Sequence, residues 1–312
     1  MTEHIDFKAL LARIGQAHLE QRLLRQAGHV ADLFGPGLLH FHIENMHWTH
    51  WLIRVGLRAV GMYRRGQRNA LAPAVRHNLV ALPNLPADFH GFRLLQLSDL
   101  HCDINTGIVT SLIERIRDEP YDVCVLTGDY RSRTFGSFEL TLTEMARLRA
   151  AIHGPVYAVL GNHDFIEMVA PLEAMGIRVL LNESVLIERG ASAICLAGVD
   201  DAHYYEVDDL AQAARNLRPD IPGILLSHTP EIYSQAAASG FQLMLSGHTH
   251  GGQICLPGGF PLLLNARCPR SLCMGAWRYK TLQGYTSRGV GVSGVDVRFN
   301  SPGEIVIHQI SG

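Results

Sequence analysis

From residue 83 onward the chain alternates short apolar runs with segments of helical periodicity, and most of the runs close on a cluster of Asp, Asn, His and Gly. The runs at 92–97, 121–126, 156–160, 194–199, 224–226 and 241–245 read as buried strands, while 108–117, 140–151 and 230–238 carry helix-like patterns between them. That alternation predicts an α/β fold, in which sites gather beyond the carboxyl ends of strands. Pro83-Asn84-Leu85-Pro86 marks where the texture changes, so an amphipathic helical region at 1–82 is expected before a larger unit at 83–312. With 47% hydrophobic and 18% charged residues the chain has apolar material for one large core, which excludes a disordered chain.

The polar strand ends are, in order, Ser98-Asp99-Leu100-His101, Gly128-Asp129, Gly161-Asn162-His163-Asp164, Ser227-His228, and Gly247-His248-Thr249-His250-Gly251-Gly252. From them Asp99, His101, Asp129, Asn162, His228, His248 and His250 supply carboxylate, amide and imidazole ligands without a thiolate. Such a set suits divalent Mn, Fe or Zn better than a structural zinc cage. Seven side chains exceed what one ion can use while holding a substrate, and they fit two ions sharing a bridging carboxylate. In an extended segment Asp99 and His101 face one side and reach one metal together, and the same is expected of His248 and His250.

D-x-H, G-D, G-N-H-D, a lone His and G-H-T-H-G-G in this order resemble the motifs of the calcineurin-like metallophosphoesterases, from about Phe92 to the C-terminus. The resemblance implies a four-layer α/β/β/α sandwich and makes 83–312 the catalytic domain. It implies one metal held by Asp99, His101, Asp129 and His250, another held by Asp129, Asn162, His228 and His248, and Asp129 as the bridge. It makes His163 the phosphate-contacting histidine that protonates the leaving oxygen, with Asp164 orienting it. The reaction expected is in-line attack on phosphorus by a metal-bridging hydroxide, without a covalent enzyme intermediate. The part from Gly161 through Gln253 to Arg298-Phe299-Asn300 is also similar to bacterial phosphodiesterases of this superfamily, a branch that includes enzymes cleaving the diphosphate of UDP-diacylglucosamine.

Arg131 and Arg133 follow Asp129 closely enough to grip a phosphate, or else serve surface solvation. His203, in Asp200-Asp201-Ala202-His203, is either structural or a substrate contact. His40, His42, His47 and His50 are explained by an interfacial helix face as well as by a metal. The six cysteines lack a CxxC pair and fit reduced thiols, with Cys124 and Cys195 as core residues.

Residues 1–80 carry ten Lys/Arg against five Asp/Glu, although the whole chain has a net charge of -2. Residues 7–34 predict an amphipathic helix broken near Gly28 and stopped by Gly35-Pro36-Gly37. Residues 43–68 predict a second, with Trp48, Trp51, Leu52, Val55, Ala59, Met62 and Tyr63 on an apolar arc, five arginines on another, and Leu57 and Val60 outside the arc. Two placements stay open for it: on an anionic membrane surface, or docked on the catalytic domain through its apolar arc. No apolar stretch has the length of a signal-peptide core or a spanning helix, so a cytoplasmic protein is expected, peripheral on the inner membrane face if the helix binds there.

The function these features favour is a two-metal phosphodiesterase or pyrophosphatase acting on a small-molecule or lipid phosphoester. The competitors are a soluble nucleotide phosphatase or nuclease, and a scaffold without chemistry. An acidic catalytic part without basic–aromatic clusters argues against nucleic acid.

Overall fold

The computed structural model describes residues 7–34 and 47–312, the side chains of 30–34, 47 and 48 excepted. The expected stop at Gly35-Pro36-Gly37, the start of the second helix at 43–46, His40, His42 and the side chains of His47 and Trp48 lie outside the described residues. Four helices come first: α1 (Lys8–Ile14), α2 (Gln16–Phe34), α3 (His47–Ala59) and α4 (Tyr63–Ala70). The order continues β1 (Ala74–Ala81), β2 (Arg93–Leu97), α5 (Gly107–Ile116), β3 (Val123–Thr127), α6 (Glu139–Ala151), β4 (Val156–Val159), α7 (Val169–Ala174), β5 (Ile177–Val179), β6 (Glu183–Arg189) and β7 (Ser192–Gly198). Then follow α8 (Leu210–Ala213), β8 (Gly223–Leu226), α9 (Tyr233–Ala238), β9 (Leu243–Ser246), β10 (Cys255–Leu256), β11 (Phe260–Pro261), β12 (Gly275–Tyr279), β13 (Leu282–Thr286) and β14 (Glu304–Ser311).

Two six-stranded sheets result, in the orders β1-β14-β2-β3-β4-β5 and β12-β13-β9-β8-β7-β6. All six expected strands are present within one or two residues of their expected bounds. β2 through β5 pair in parallel, as do β7, β8, β9 and β13, and β3, β8 and β9 are buried along their whole length, as strands covered on both faces must be. The twofold alternation of a strand sorts its side chains: Leu94 points into the layer between the sheets with Val125, Leu196 and Leu226, whereas Leu95 and Leu97 point to the helices with Ile108, Leu112 and Met145. Across the second sheet Leu225 and Met244 pack against Ala213 and Ala236 of α8 and α9. The architecture is the α/β/β/α sandwich.

The N-terminal part departs from expectation in three ways. The break in the first helical stretch falls at Gly15, whose φ of 83° only glycine adopts readily, and α2 runs on through Gly28. The second stretch is two helices, divided at Gly61 with φ 70°. Within 1–82 the last described helix ends at Ala70, and β1 pairs in parallel with β14 as the edge strand of the first sheet, so residues 74–81 belong to the sheet of the larger unit.

The docking faces differ too. α3 meets the protein through Leu57, which packs with Val295, Val297 and Phe299, and through Arg54, which donates to the Gly294 carbonyl at 2.9 Å. Trp51, Leu52, Val55 and Met62 of the expected docking arc are exposed instead, Trp51 to 60%. Of the two placements left open, docking through the arc is kept only at Tyr63, which packs on the same cluster; on α3 the contact is made by Leu57, outside the arc.

Candidate metal centre

β2, β3, β4, β8 and β9 all end at one place, the edge where the two sheets meet. Each delivers its polar residues within three or four positions of its last strand residue: Asp99 and His101, Asp129, Asn162 and His163, His228, His248 and His250. All eight are buried. Eleven non-glycine residues among those described have left-handed φ, and five of them are Asp99, His101, Asp129, His248 and His250. Such conformations cost free energy and persist where surrounding structure over-determines them. The extended geometry expected for Asp99–His101 and His248–His250 is thus replaced by sharp turns. Instead of meeting one metal together, His248 and His250 separate: His250 clusters with Asp99 and His101, and His248 with Asp129 and His228.

In the first cluster His101 Nε2 lies 3.1 Å from His250 Nε2, and His250 Nε2 lies 3.6 Å from Asp99 Oδ1. In the second, His228 Nε2 lies 2.9 Å from Asn162 Oδ1 and 3.2 Å from His248 Nδ1. Asp129 Oδ2 stands between them, 3.6 Å from His101 Nε2 and 3.3 Å from His228 Nε2. His101 Nδ1 faces the Arg131 carbonyl at 2.7 Å and His228 Nδ1 the Thr127 carbonyl at 2.8 Å. Carbonyls only accept, so each ring carries its proton there and presents the Nε2 lone pair inward. Inward lone pairs at about 3 Å repel one another unless a cation shares them, and the set therefore fits a divalent metal site.

The charges agree. Burial pushes the Asp99 carboxyl up to about 7 and the His101 imidazole down to about 4. Burial also works to raise Asp129, but His228, His163 and His101 hold it well below the usual carboxylate range. Burial opposes the cation on His228, yet Asp129 and Asp99 draw it up to about 10, so that Nε2 holds a proton which a bound divalent cation would displace.

His163 donates its backbone N–H to Asp129 Oδ1 at 3.0 Å, and its Nε2 is 3.9 Å from Asp129 Oδ2. Its Nδ1 is oriented by the Ser132 carbonyl at 2.6 Å. Asp164 is not that orienting partner: its carboxylate accepts from the backbone N–H groups of Asp129 (2.7 Å), Gly161 (2.8 Å) and Tyr130 (2.9 Å). It holds the Asp129 backbone to the Asn162 loop. A side chain at Gly161 would force Asp129 to shift, since a Cβ there would stand 2.2 Å from Asp129 Oδ1.

Arg131 is also placed otherwise than expected. Its guanidinium is fully buried, donates to the carbonyls of Phe135 and Gly136, and lies 4.3 Å above the Phe165 ring, so it shapes its own loop and does not grip a substrate. Arg133 is exposed on that loop. His203 comes to the centre, with its ring 4.3 Å from that of His248 and its Nδ1 2.9 Å from Glu231 Oε1. His203, Glu231 and His248 form a third group whose ligand atoms lie within 4.8 Å of one another.

Four supporting residues escaped the sequence reading. Asp201 accepts from the backbone N–H groups of His203, Tyr204 and Tyr205. Glu231 fixes His203. Arg298, fully buried, donates to the carbonyls of His250, Arg288, Gly289, Gly291 and Ser301. Arg22, from α2, was findable as an arginine on the stripe Leu19-Arg22-Gln26, all three of which are buried.

Residues 92–252 match the family model described as calcineurin-like phosphoesterase. An uncharacterised metallophosphoesterase of Bacillus subtilis, YkoQ, is 31% identical over 70% of this chain and 83% of its own length. An uncharacterised metallophosphoesterase of Helicobacter pylori is 29% identical over 80% of this chain and 67% of its own. A bovine transmembrane protein with a metallophosphoesterase domain is 30% identical over 81% of this chain, which spans 60% of that protein's length.

Proposed function

This chain belongs to the calcineurin-like phosphoesterase family, and on that premise we propose that it is a two-metal phosphodiesterase or pyrophosphatase. The observation that carries the reading is Asp129 Oδ2 between the two ligand clusters, within 3.6 Å of a histidine from each. Two divalent cations, Mn, Fe or Zn, would acidify a water and neutralise phosphate oxygens there. Asp99, His101, Asp129 and His250 would hold one, and Asp129, Asn162, His228 and His248 the other. His163, its Nδ1 proton committed to the Ser132 carbonyl, offers Nε2 for proton delivery to the leaving oxygen. His203, held by Glu231, and Arg133 stand as substrate contacts.

The substrate we favour is a lipid-linked or nucleotide-linked phosphoester of the UDP-diacylglucosamine kind, met at the cytoplasmic face of the inner membrane. Among the described residues no helix is long and apolar enough to cross a membrane. α3 instead exposes Trp51, Leu52 and Val55, and residues 45–87 contain six arginines and no Asp or Glu. An amphipathic helix with that charge suits an anionic lipid surface. Phe260, Leu262 and Leu263, also exposed, follow closely on the His250 turn, beside the proposed metals.

Manganese-supplemented hydrolysis of bis(p-nitrophenyl) phosphate beside the monoester tests the chemistry. Metal-dependent diester turnover, abolished in Asp129→Ala, is the expected result. No turnover with any divalent ion, from folded protein binding fewer than two metals, would leave the scaffold reading. Turnover of free nucleotides, with the protein staying in the supernatant beside anionic liposomes at physiological salt, would favour the soluble phosphatase.

A further inference from the structure

α2 lies outside residues 92–252, yet one of its side chains reaches the core of the site. Arg22 is fully buried. Its Nη2 donates to the Asp164 carbonyl at 2.7 Å, its Nη1 lies 3.2 Å from Asp200 Oδ1, and its guanidinium sits 3.6 Å above the Tyr205 ring. A planar guanidinium makes one hydrogen bond, one ion pair and one stacking contact at once, which an ammonium does not.

The two polar contacts belong to different loops. Asp164 is in the loop that presents Asn162 and His163, and its carboxylate holds the backbone of Asp129 and Gly161. Asp200 opens the loop that presents His203, where Asp201 accepts three backbone N–H bonds. The same helix face repeats the tie at each turn. His18 Nε2 lies 2.9 Å from Asp200 Oδ2, and Gln26 accepts from the Ile166 N–H while donating to Glu167. The His29 ring lies tilted against Tyr204 at 4.8 Å; Tyr204 stacks on His203 at 4.9 Å, and the His203 ring lies tilted against that of His248 at 4.3 Å.

We infer that Arg22 is a positioning residue of the metal centre: by bridging the Asp164 carbonyl and the Asp200 carboxylate, it fixes the spacing of loops 161–166 and 200–205, which bring Asn162, His163 and His203 to the centre. The active centre of this chain is thereby completed by a helix that stands 70 residues upstream of the family domain. The inference rests on the hydrolase reading for its kinetic consequence alone.

The test uses the full chain with Arg22→Met and Arg22→Lys, each shown folded by circular dichroism and a cooperative urea transition. Amide hydrogen exchange needs no activity. It is expected to quicken in 161–166 and 200–205 of Arg22→Met while β3, β8 and β9 keep native protection, with Arg22→Lys between the two. In manganese-supplemented diester turnover, kcat is expected to fall by about tenfold or more with KM changed less than about threefold, because a loop displaced by a fraction of an ångström loses alignment before affinity. Native exchange in both loops of folded Arg22→Met overturns the inference. So does a kcat within about twofold of native. Should the native chain turn over no diester, the hydrolase reading fails and exchange alone decides. If Arg22→Met does not fold, Asp200→Asn removes one end of the bridge: faster exchange confined to 200–205 supports the inference, and unchanged exchange there overturns it.

Discussion

Gly161→Ala isolates the placement of the bridging carboxylate. The backbone at Gly161 is outside the left-handed region, so alanine meets no conformational penalty and the effect is one of contact alone. The added Cβ would lie 2.2 Å from Asp129 Oδ1 and 2.6 Å from Asp129 N. Restoring an ordinary contact of about 3.4 Å requires the carboxylate and the Cβ to part by about 1 Å. That shift is large beside the 3.3 Å and 3.6 Å that separate Asp129 Oδ2 from His228 and His101, and it also breaks the 3.0 Å bond from the His163 N–H. Overpacking of this kind costs about 1–3 kcal/mol, which a domain stable by about 5–15 kcal/mol survives folded. Misplacement by about 1 Å costs about a hundredfold in rate. The assay is manganese binding by calorimetry and diester turnover, run beside Gly28→Ala. Gly28 is interior to α2 with open space around its Cβ, and alanine there is expected to stabilise by about 0.5–1 kcal/mol without changing turnover. Folded Gly161→Ala with native manganese affinity and a kcat within about threefold of native would refute the reasoning.

His308 is buried between Asn78 and Gln96, and burial lowers its imidazole from 6.5 to about 3. The unfolded chain then binds the extra proton between those values, so stability falls as pH drops below 6.5, by about 2 kcal/mol at pH 5. Comparing urea midpoints at pH 7.5 and 5 for the native chain and His308→Gln should show this part of the loss vanish in the variant; equal losses would remove the assignment. Asp201→Ala strands three buried backbone donors and should cost about 3–5 kcal/mol, whereas Asp201→Asn keeps an acceptor for the Tyr204 and Tyr205 N–H groups and should cost about 1–2 kcal/mol. Equal urea midpoints for the two variants would contradict that. Arg298→Lys surrenders most of five carbonyl contacts around the His250 turn and should both destabilise the fold and weaken manganese binding, read by urea titration and calorimetry. Saturating manganese should raise the native urea midpoint, by about 3 kcal/mol at a hundredfold excess over Kd, and Asp129→Ala should lose most of that gain.

The sequence by itself determined the layers and the ligands. The short, mainly apolar runs at 92–97 and 121–126 between turn signals read as covered strands, and the polar clusters that follow them fall at their carboxyl ends. Asp99, His101, Asp129, Asn162, His228, His248 and His250 were legible from residue type and order. Their division into two groups came from the family resemblance, and the left-handed turns at five of them are held by hydrogen bonds between loops, as from the Asp99 N–H to the Gly128 carbonyl and from the His248 N–H to the Asp99 carboxylate. Residue type also misled where it was read locally. Arg131 stands two residues after a metal ligand and looks ready for phosphate, but the loop folds its guanidinium inward onto Phe165. Asp164 follows His163, yet its carboxylate turns back to three N–H groups of other segments.

What only tertiary structure decided lies chiefly in long-range pairing. Nothing near Ala74 announces that it will pair with Glu304, and nothing local makes Leu57 the docking residue of α3 while Trp51 faces outward. Arg22, Glu231 and Asp200 carry charges whose meaning depends on partners up to 182 residues away. Apolar periodicity is a property of one segment and survives in the sequence. The partner of a buried charge is a property of two segments, and it appears only when the fold brings them together.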